Sequence, residues 1–380
     1  MASVEQFVCV DDFERHARRV LPKRIYDYYR SGADEEVTLR KNRDCFAELV
    51  IRPRALVDVS RRDLSVSLLN GAHAFPFPIF VAPTAKQRMA DPEGEEATAR
   101  ACAKLNTLMV ASTIATTSLE DIAKAGGGGC PRWFQLYVYR DREETKKLVR
   151  RAETAGYSAL VLTVDTPLVG KRRDDIRNAY TLPSHLRLAN FDMSDVKSSG
   201  MGSSQGGSAF NEYARTMFDP SLCWSDVRWL VGESRVPVVV KGVLTAADAL
   251  RAYEHGASAV IVSNHGARQL DTCPATIEAL PEIVAALRGK NCDVYMDGGI
   301  RTGTDAKALA LGAKAVFVGR PVLWGLAHSG EKGVLRVLEM LREELDLCMA
   351  LAGCRSLAET LGMVVHQSFY YPANRLASKL

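Results

Sequence analysis

The sequence predicts an α/β protein folded as a (β/α)8 (TIM) barrel. Eight short apolar runs rich in β-branched residues are typical of parallel strands buried on both faces. Helix-like stretches separate these runs, and 380 residues suit one such barrel with extensions. An open doubly wound sheet is the alternative, but it usually has fewer strands, and its glycine fingerprint is missing here. The runs lie at 79–82, 108–111, 133–137, 159–163, 238–241, 259–263, 294–297 and 315–319.

Helices are predicted before the barrel and between its strands. Asp11 and Asp12 precede Phe13 and Ala17, which lie on one apolar helix face, and acidic residues favour a helix start. Pro22 then interrupts the helix. The helical stretches between strands include 95–105, 143–155, 246–255 and 304–311.

We expect a single domain over 1–380. It would comprise an N-terminal helical extension (1–77), a barrel (78–325) and C-terminal helices with a tail (326–380). A long connection at 185–225 follows the fourth strand, and its segment 193–210 is rich in Gly and Ser. This composition predicts a flexible loop, either a lid over the active rim or an insertion without function.

Composition excludes several classes of protein. Hydrophobic residues at 47% and charged residues at 25% exclude a disordered chain, and no apolar run is long enough for a transmembrane helix. The N-terminus lacks the basic and apolar regions of a secretory signal. The 49 basic and 45 acidic residues are interspersed, so no basic stripe indicates nucleic acid. Nine cysteines without a Cys-x-x-Cys pair indicate reduced thiols, and we expect no metal site.

Polar residues follow the predicted strands, at the rim where such barrels carry their chemistry. Glycines and arginines end the last two strands, at 298–301 and 319–320. Glycine lets backbone N–H groups approach phosphate oxygens, and arginine adds a forked cation. Tight turns with surface arginines are the alternative, which the repetition of the pattern disfavours.

Lys241 directly follows three valines of the fifth strand. A buried ammonium needs a partner. It could form a structural ion pair, form a Schiff base as in barrel aldolases, or stabilise negative charge on a cofactor.

The segment 262–271 carries the most specific chemistry. His265 at a strand end can act as a base near neutral pH, and Arg268 can hold a carboxylate with two hydrogen bonds. Asp165, at the end of the fourth strand, is available to stabilise the imidazolium.

At these residues the chain resembles the FMN-dependent (S)-2-hydroxy-acid oxidases, the glycolate oxidase family. The matching segments span nearly the whole chain in order, and 263–271 is highly specific. They are 21–23, 26–29, 82–85, 135–137, 163–167, 240–242, 263–271, 297–299 with Arg301, and 319–321.

The resemblance implies oxidation of (S)-2-hydroxy acids to 2-oxo acids, with FMN as cofactor and with O2 reduced to H2O2. His265 would take the hydroxyl proton, Asp165 would pair with it, and Tyr137 would contact the hydroxyl oxygen. The substrate carboxylate would be held by Arg172, Arg268 and Tyr28, although plain helix packing is an alternative for Tyr28.

The resemblance also implies a set of FMN contacts. Lys241 would stabilise the reduced, anionic flavin. The flavin would contact Pro83, Thr84, Ala85, Ser112, Gln135, Thr163 and Ser263. The phosphate would contact Asp297, Gly298, Gly299, Ile300, Arg301, Gly319 and Arg320.

Two residues depart from the family pattern. Lys86 replaces a usually apolar residue, and it could alter the flavin potential or point to solvent. Ile114 stands where glycolate-preferring members carry tryptophan. We therefore expect a wider pocket that favours medium-chain, long-chain or branched substrates.

The chain ends in Ser378-Lys379-Leu380, which a peroxisomal import receptor reads as an address. Chance is the alternative, but a peroxide-forming oxidase suits that compartment. The resemblance further implies a homotetramer.

Other acceptors and functions remain as alternatives. A cytochrome-linked member would need a haem domain, for which we expect no room before residue 78, and a membrane-bound member would need an apolar insertion after the fourth strand. Two rival functions remain. One is a Schiff-base aldolase that uses Lys241, and the other is a non-catalytic flavin-binding barrel. The joint presence of His265, Arg268, Arg172 and Tyr137 favours a working enzyme.

Overall fold

Eight parallel strands close into a barrel, which confirms the predicted fold. The computed structural model describes residues 6–191 and 218–370. Hydrogen bonds join each barrel strand to the next, and the last strand pairs with the first through Val316 and Ile79. Strands in the described residues are β1 (Leu49–Ile51), β2 (Val66–Leu68), β3 (His73–Phe75), β4 (Ile79–Val81), β5 (Met109–Ser112), β6 (Arg132–Leu136), β7 (Ala159–Thr163), β8 (Val238–Val243), β9 (Ala259–Val262), β10 (Asp293–Asp297), β11 (Ala315–Val318) and β12 (Val364–His366). The barrel runs from β4 to β11 in chain order.

Helices precede the barrel, alternate with its strands and follow it. They are α1 (Val10–Val20), α2 (Lys23–Arg30), α3 (Val37–Asp44), α4 (Gly94–Lys104), α5 (Leu119–Ala125), α6 (Arg142–Thr154), α7 (Arg173–Arg177), α8 (Trp224–Glu233), α9 (Ala246–Glu254), α10 (Thr276–Leu287), α11 (Lys307–Ala310) and α12 (Arg320–Ala352). The helix α12 is kinked at Ser329 and Gly330, whose backbone angles are not helical. The predicted helix at 304–311 is a 3-10 turn, Gly303–Ala306, followed by α11.

The barrel is filled and closed at the amino ends of its strands. Trp133, Tyr295 and Phe317 are buried and pack around one another inside it. The β2–β3 hairpin covers this end, with Leu68 in the same apolar cluster and the backbone N–H of Leu69 donating to the Tyr295 hydroxyl at 3.1 Å. Each buried large side chain is worth about 1.5–3 kcal/mol. The amino end of the barrel is therefore filled by packed side chains.

The N-terminal extension differs from the helical one that we predicted. It contains α1 to α3 but also β1, β2 and β3. Strand β1 pairs antiparallel with β12, with Leu49 opposite His366, so the two extensions are joined. Strands of three residues are too short to show the alternating pattern that reveals a strand in sequence.

Two predictions concern residues outside the described part of the chain. The Gly/Ser-rich segment 193–210 and the terminal Ser378-Lys379-Leu380 both lie there. Across the residues that the structure describes, no helix is both long and apolar enough to cross a bilayer.

Candidate active site

A cavity opens where the barrel strands end. Its volume is about 1150 Å³, which includes space open to solvent. Of the predicted site residues, Asp165 and Ser263 do not line it directly. Those that line it are Tyr28, Pro83, Thr84, Ala85, Ser112, Ile114, Gln135, Tyr137, Thr163, Arg172, Lys241, His265, Arg268, Asp297, Gly298, Gly299, Ile300, Arg301, Gly319 and Arg320.

His265 and Asp165 form a hydrogen-bonded pair at the cavity wall. His265 Nδ1 lies 2.8 Å from Asp165 Oδ1. The Thr166 hydroxyl donates to the same carboxylate oxygen at 2.9 Å and lies 3.4 Å from His265 Nδ1. Because a carboxylate accepts hydrogen bonds, Nδ1 carries the imidazole proton. The other ring nitrogen, Nε2, keeps its lone pair.

Burial lowers the pKa of His265 below its usual value, and the neighbouring Asp165 opposes this shift without cancelling it. Burial also raises the pKa of Asp165, but the interaction with His265 outweighs it and the net pKa is lowered. The imidazole is therefore neutral and the carboxylate ionised near pH 7, which is the state that a general base needs.

The backbone of the turn that carries His265 is strained. His265, Gly266 and Ala267 have φ values of 58°, 61° and 63° in the left-handed region. The Asn264 side chain accepts from the Ala267 N–H at 3.1 Å and exchanges two hydrogen bonds with the Asn42 amide. For a residue other than glycine this conformation costs about 1–3 kcal/mol. The network of Asn264 and Asn42 stabilises it and thereby aims the imidazole.

Two guanidinium groups, Arg172 and Arg268, line the cavity near Tyr28. Arg268 lies 5.0 Å from the Tyr28 ring centroid and donates to the Tyr28 carbonyl at 2.6 Å. Burial and the charge of Arg268 lower the pKa of Arg172 to about 10, so it stays charged at neutral pH. Within residues 6–191 and 218–370, neither guanidinium forms an ion pair with a carboxylate. An anionic ligand is therefore well suited to this part of the cavity.

Tyr137 and Ile114 also line the cavity. Burial raises the pKa of Tyr137, so its hydroxyl stays protonated and can donate. Its ring stacks on Phe218 with centroids 4.4 Å apart. Ile114 is buried after the end of β5.

Lys241 has the buried partner that its position demands. Its Nζ lies 3.2 Å from Asp297 Oδ2 and donates to the Ser263 hydroxyl at 2.8 Å. The second carboxylate oxygen of Asp297 is buried and has no hydrogen-bond partner among the described residues. The hydroxyl of Ser263 also accepts from the His265 N–H at 3.1 Å. Ser263 therefore holds both the Lys241 ammonium and the His265 backbone in place.

Glycines and buried arginines form the end of the cavity beside β10 and β11. Gly298 and Gly299 have φ values of 94° and 85°. Burial lowers the pKa of Arg301 and of Arg320, and Arg301 Nε has no hydrogen-bond partner in the described chain. Arg320 donates to carbonyls of Tyr29 and Gly266 instead of a carboxylate. Glycine backbone that lines the cavity, together with two buried cations, fits a phosphate.

Between these two ends lies a wall of hydrogen-bonding side chains. Gln135 Nε2 donates to the Thr163 hydroxyl at 3.1 Å, and the Ser112 hydroxyl donates to Gln135 Oε1 at 3.3 Å. Thr84 accepts from Gln87 Nε2 at 2.8 Å. Such donors and acceptors along a slot suit the polar edge of a planar heterocycle.

Comparison with known proteins agrees with this arrangement. The model of the family described as "FMN-dependent dehydrogenase" matches residues 17–366. The chain belongs to the FMN-dependent dehydrogenase family. It is 52% identical over 352 residues to 2-hydroxyacid oxidase 1 of Homo sapiens, covering 92% of this chain and 94% of that one. It is 48% identical over 372 residues to glycolate oxidase of Spinacia oleracea, covering 98% and 99%.

A solved structure of a mandelate oxidase with (S)-4-hydroxymandelic acid has the same fold. The TM-score is 0.87 at 43% identity, covering 93% of this chain and 97% of the other. This FMN-dependent dehydrogenase is therefore an oxidoreductase, with FMN as its cofactor. The Asp297 oxygen and Arg301 Nε, which have no partner among the described residues, and the glycine backbone that lines the cavity fit that cofactor. Family membership favours a cofactor contact for Lys241 over a Schiff base.

Some residues of this FMN-dependent dehydrogenase site were not predicted from the sequence. Thr166 lies within the segment 163–167 that carried the resemblance, so its hydroxyl could have been assigned to the Asp165 carboxylate. Phe218 gave no sequence signal, because only the fold brings it against Tyr137. The interpretation of Lys86 as a solvent-facing residue is wrong, since its side chain is fully buried beside Tyr28.

Proposed function

We propose that this enzyme oxidises (S)-2-hydroxy acids to 2-oxo acids, with O2 as the final acceptor and H2O2 as the second product. The observation that carries the proposal is the His265–Asp165 pair facing the same cavity as Arg172 and Arg268. A base beside a carboxylate site is what removal of a hydroxyl proton from a 2-hydroxy acid requires.

The carboxylate of the substrate binds to Arg172 and Arg268. Their guanidinium groups are positively charged and lie in a partly buried setting, where charge-assisted hydrogen bonds are strong. The Tyr28 ring contacts Arg268 and keeps its guanidinium group at the cavity. Fixing the carboxylate at this end leaves C2 and its hydroxyl group near His265.

The hydroxyl proton moves to Nε2 of His265. Asp165 accepts from Nδ1, holds the tautomer and stabilises the imidazolium that forms. The Tyr137 hydroxyl, kept protonated by burial, donates to the substrate oxygen. FMN, when bound, would take up the C2 hydrogen together with the two electrons that leave C2.

Residues at the other end of the cavity hold the cofactor. Asp297 and Ser263 fix the ammonium of Lys241, whose positive charge would offset negative charge on a bound flavin. Backbone N–H groups at Gly298, Gly299 and Gly319, with Ile300, Arg301 and Arg320, hold the phosphate. Pro83, Thr84, Ala85, Ser112, Gln135 and Thr163 form the slot for the ring.

We further propose that substrates with medium, long or branched chains are preferred over glycolate. Ile114 is smaller than the tryptophan of glycolate-preferring members, so the wall near the substrate is set back. Similar proteins named for glycolate and for mandelate indicate that this scaffold accepts 2-hydroxy acids of different sizes. One such substitution is worth about 1–3 kcal/mol of discrimination, so glycolate is still oxidised slowly.

Cellular setting forms part of the proposal. The terminal Ser378-Lys379-Leu380 directs the enzyme to the peroxisome through its import receptor, where H2O2 is degraded. Assembly into a homotetramer and the single-domain organisation over 1–380 follow the family resemblance.

Anaerobic reduction of the purified holoenzyme tests this function. Addition of (S)-2-hydroxyoctanoate without air should bleach the flavin absorbance, and admitting O2 should restore the colour and form one H2O2 per 2-oxo acid. His265→Ala should bind FMN with an unchanged spectrum yet bleach at least about 10²-fold more slowly. If neither short nor long 2-hydroxy acids bleach the flavin, the proposed function is refuted.

A further inference from the structure

Lys86 occupies an unusual position behind the carboxylate end of the cavity. Its side chain is fully buried, and its own backbone has a left-handed φ of 60°. Its carbonyl accepts from the Tyr29 hydroxyl at 2.7 Å, which pins the backbone to α2. A charged residue that is buried this deeply and held by a strained backbone needs a compensating role.

The Lys86 side chain lies beside two stacked tyrosines. The rings of Tyr28 and Tyr180 are nearly parallel at 15°, with centroids 4.4 Å apart. Lys86 Nζ lies 4.7 Å from the Tyr28 centroid and 4.8 Å from the Tyr180 centroid. Because these three distances are nearly equal, Nζ lies at the side of the stack and not between the rings. It also contacts the Tyr180 oxygen at 3.3 Å.

This stack connects Lys86 to the carboxylate site. Tyr28 lines the cavity, and Arg268 lies 5.0 Å from the same Tyr28 ring that contacts Lys86. The Tyr180 hydroxyl donates to Met89 Sδ at 3.1 Å, so the outer ring is anchored on the 3-10 turn after Lys86. A movement of Lys86, or a change in its charge, therefore alters the position of Tyr28 and the electrostatic potential at Arg268.

We propose that Lys86 is a positioning residue for the substrate carboxylate, whose side-chain nitrogen takes up one proton from solvent when a carboxylate binds at Arg172 and Arg268. The proton returns to solvent when the ligand leaves. This inference rests on the proposed function and adds to it a coupling between carboxylate binding and protonation.

The charges around Lys86 support this coupling. Burial lowers the pKa of Lys86 well below its usual value, and Arg172 and Arg268 lower it further, while Asp175 opposes them. Asp175 is itself buried, and burial raises its pKa against the effect of the three cations. An added carboxylate near Arg172 and Arg268 offsets their repulsion of Lys86 and so favours the ammonium form.

Other titratable groups in the described chain also lie near Lys86. Burial raises the pKa of Tyr28, of Tyr29 and of Tyr180, so all three stay neutral. Glu95 accepts from the Gln87 N–H at 3.0 Å on the other side of the 3-10 turn. His265 also faces the carboxylate site and could take up a proton, so its contribution has to be separated from that of Lys86.

Calorimetry on the FMN-bound enzyme tests the proposal. Butanoate is the probe, because it carries a carboxylate but no hydroxyl group to oxidise. Titration at one pH in buffers of different ionisation enthalpy gives the number of protons taken up per butanoate bound. The wild-type enzyme should take up a proton. Lys86→Met should take up only the protons that bind to His265.

Affinity should change in parallel. By linkage, a rise of one unit in the Lys86 pKa makes binding at most about tenfold tighter, so Lys86→Met should bind butanoate more weakly by up to about tenfold. Butanamide, which is neutral, should bind both proteins equally. Lys86→Arg should bind butanoate without proton uptake, because guanidinium is already charged, and it carries the test if Lys86→Met does not fold.

Lys307→Met is the matched control. Burial also lowers the pKa of Lys307, but its Nζ donates to the Phe46 carbonyl at 2.7 Å and it does not line the cavity. This variant should take up protons as the wild type does. Equal uptake in wild type, Lys86→Met and Lys86→Arg would overturn the coupling while leaving the function intact. Failure of butanoate to bind the wild-type holoenzyme would overturn the coupling, whereas the function is overturned only if 2-hydroxy acids also fail to bleach the flavin.

Discussion

His265 Nδ1 and Asp165 Oδ1 lie 2.8 Å apart although 100 positions separate the two residues in the chain. They come from the ends of β9 and β7, which are separated in the barrel by β8. The pair therefore exists only because the strands are parallel and end on the same rim. Its orientation, with the proton on Nδ1, leaves Nε2 as the basic atom at the cavity.

Replacing Asp165 by Asn should impair turnover more than binding. The amide cannot stabilise the imidazolium and can select the wrong tautomer, so kcat should fall about 10²-fold or more. FMN content, read from the visible spectrum, should not change. Asp44→Asn, at the exposed end of α3, is the matched control and should retain full activity. Wild-type kcat in Asp165→Asn would show that the pair has no catalytic role.

The pH dependence of kcat/KM should report the His265 imidazole. Because burial holds its pKa below 6.5, the base is neutral above that pH, and activity should be lost only as the pH falls through the lowered pKa. Asp165 raises the pKa of His265, so Asp165→Asn should shift the acid limb of its residual activity to lower pH. A shift to higher pH would contradict this assignment.

Ile114→Trp should narrow the substrate range. The larger ring would occupy the space beside Ile114, so kcat/KM for (S)-2-hydroxyoctanoate should fall about tenfold or more relative to glycolate. Ile114→Val, which changes the volume little, is the control. A strong preference of the wild-type enzyme for glycolate would refute the proposed substrate class at the outset.

Gly299→Ala should disrupt the phosphate end of the cavity. A Cβ at this position would lie 1.8 Å from the Asn42 carbonyl oxygen, and φ is 85°. The backbone must therefore move, and both Tm and FMN content should fall. Gly289→Ala is the matched control: its φ is 77°, but no atom lies within 4 Å of the added Cβ, so it should cost about 1 kcal/mol. Equal Tm losses in both variants would contradict the role of close packing.

Lys241→Met should destabilise the protein as well as the bound flavin. It leaves the buried Asp297 carboxylate without its cation, and breaking a buried pair costs about 3–5 kcal/mol. Lys146→Met breaks the solvent-exposed pair with Glu143 and should leave the stability nearly unchanged, because water and salt screen such pairs. Denaturant unfolding of the two variants measures the difference, and similar midpoints would argue against a buried ion pair.

The sequence by itself determined the barrel and most of the cavity. Eight short apolar runs rich in β-branched residues indicated eight strands buried on both faces. The polar residues after each run lie at one rim because the strands are parallel. Motif spacing then identified His265, Arg268 and the glycines of 298–299. Apolar runs and motif spacing are local features, so short segments of the sequence are enough to reveal them.

Only the tertiary structure decided which side chains meet. Phe218 against Tyr137, Ser263 behind Lys241, and Lys86 beside Tyr28 and Tyr180 each join distant segments. The short strands β1 to β3 could likewise not be predicted, because pairing with other strands stabilises them and three residues show no alternating apolar pattern. Burial and distance set the charge states of these groups, and neither can be derived from the order of residues alone.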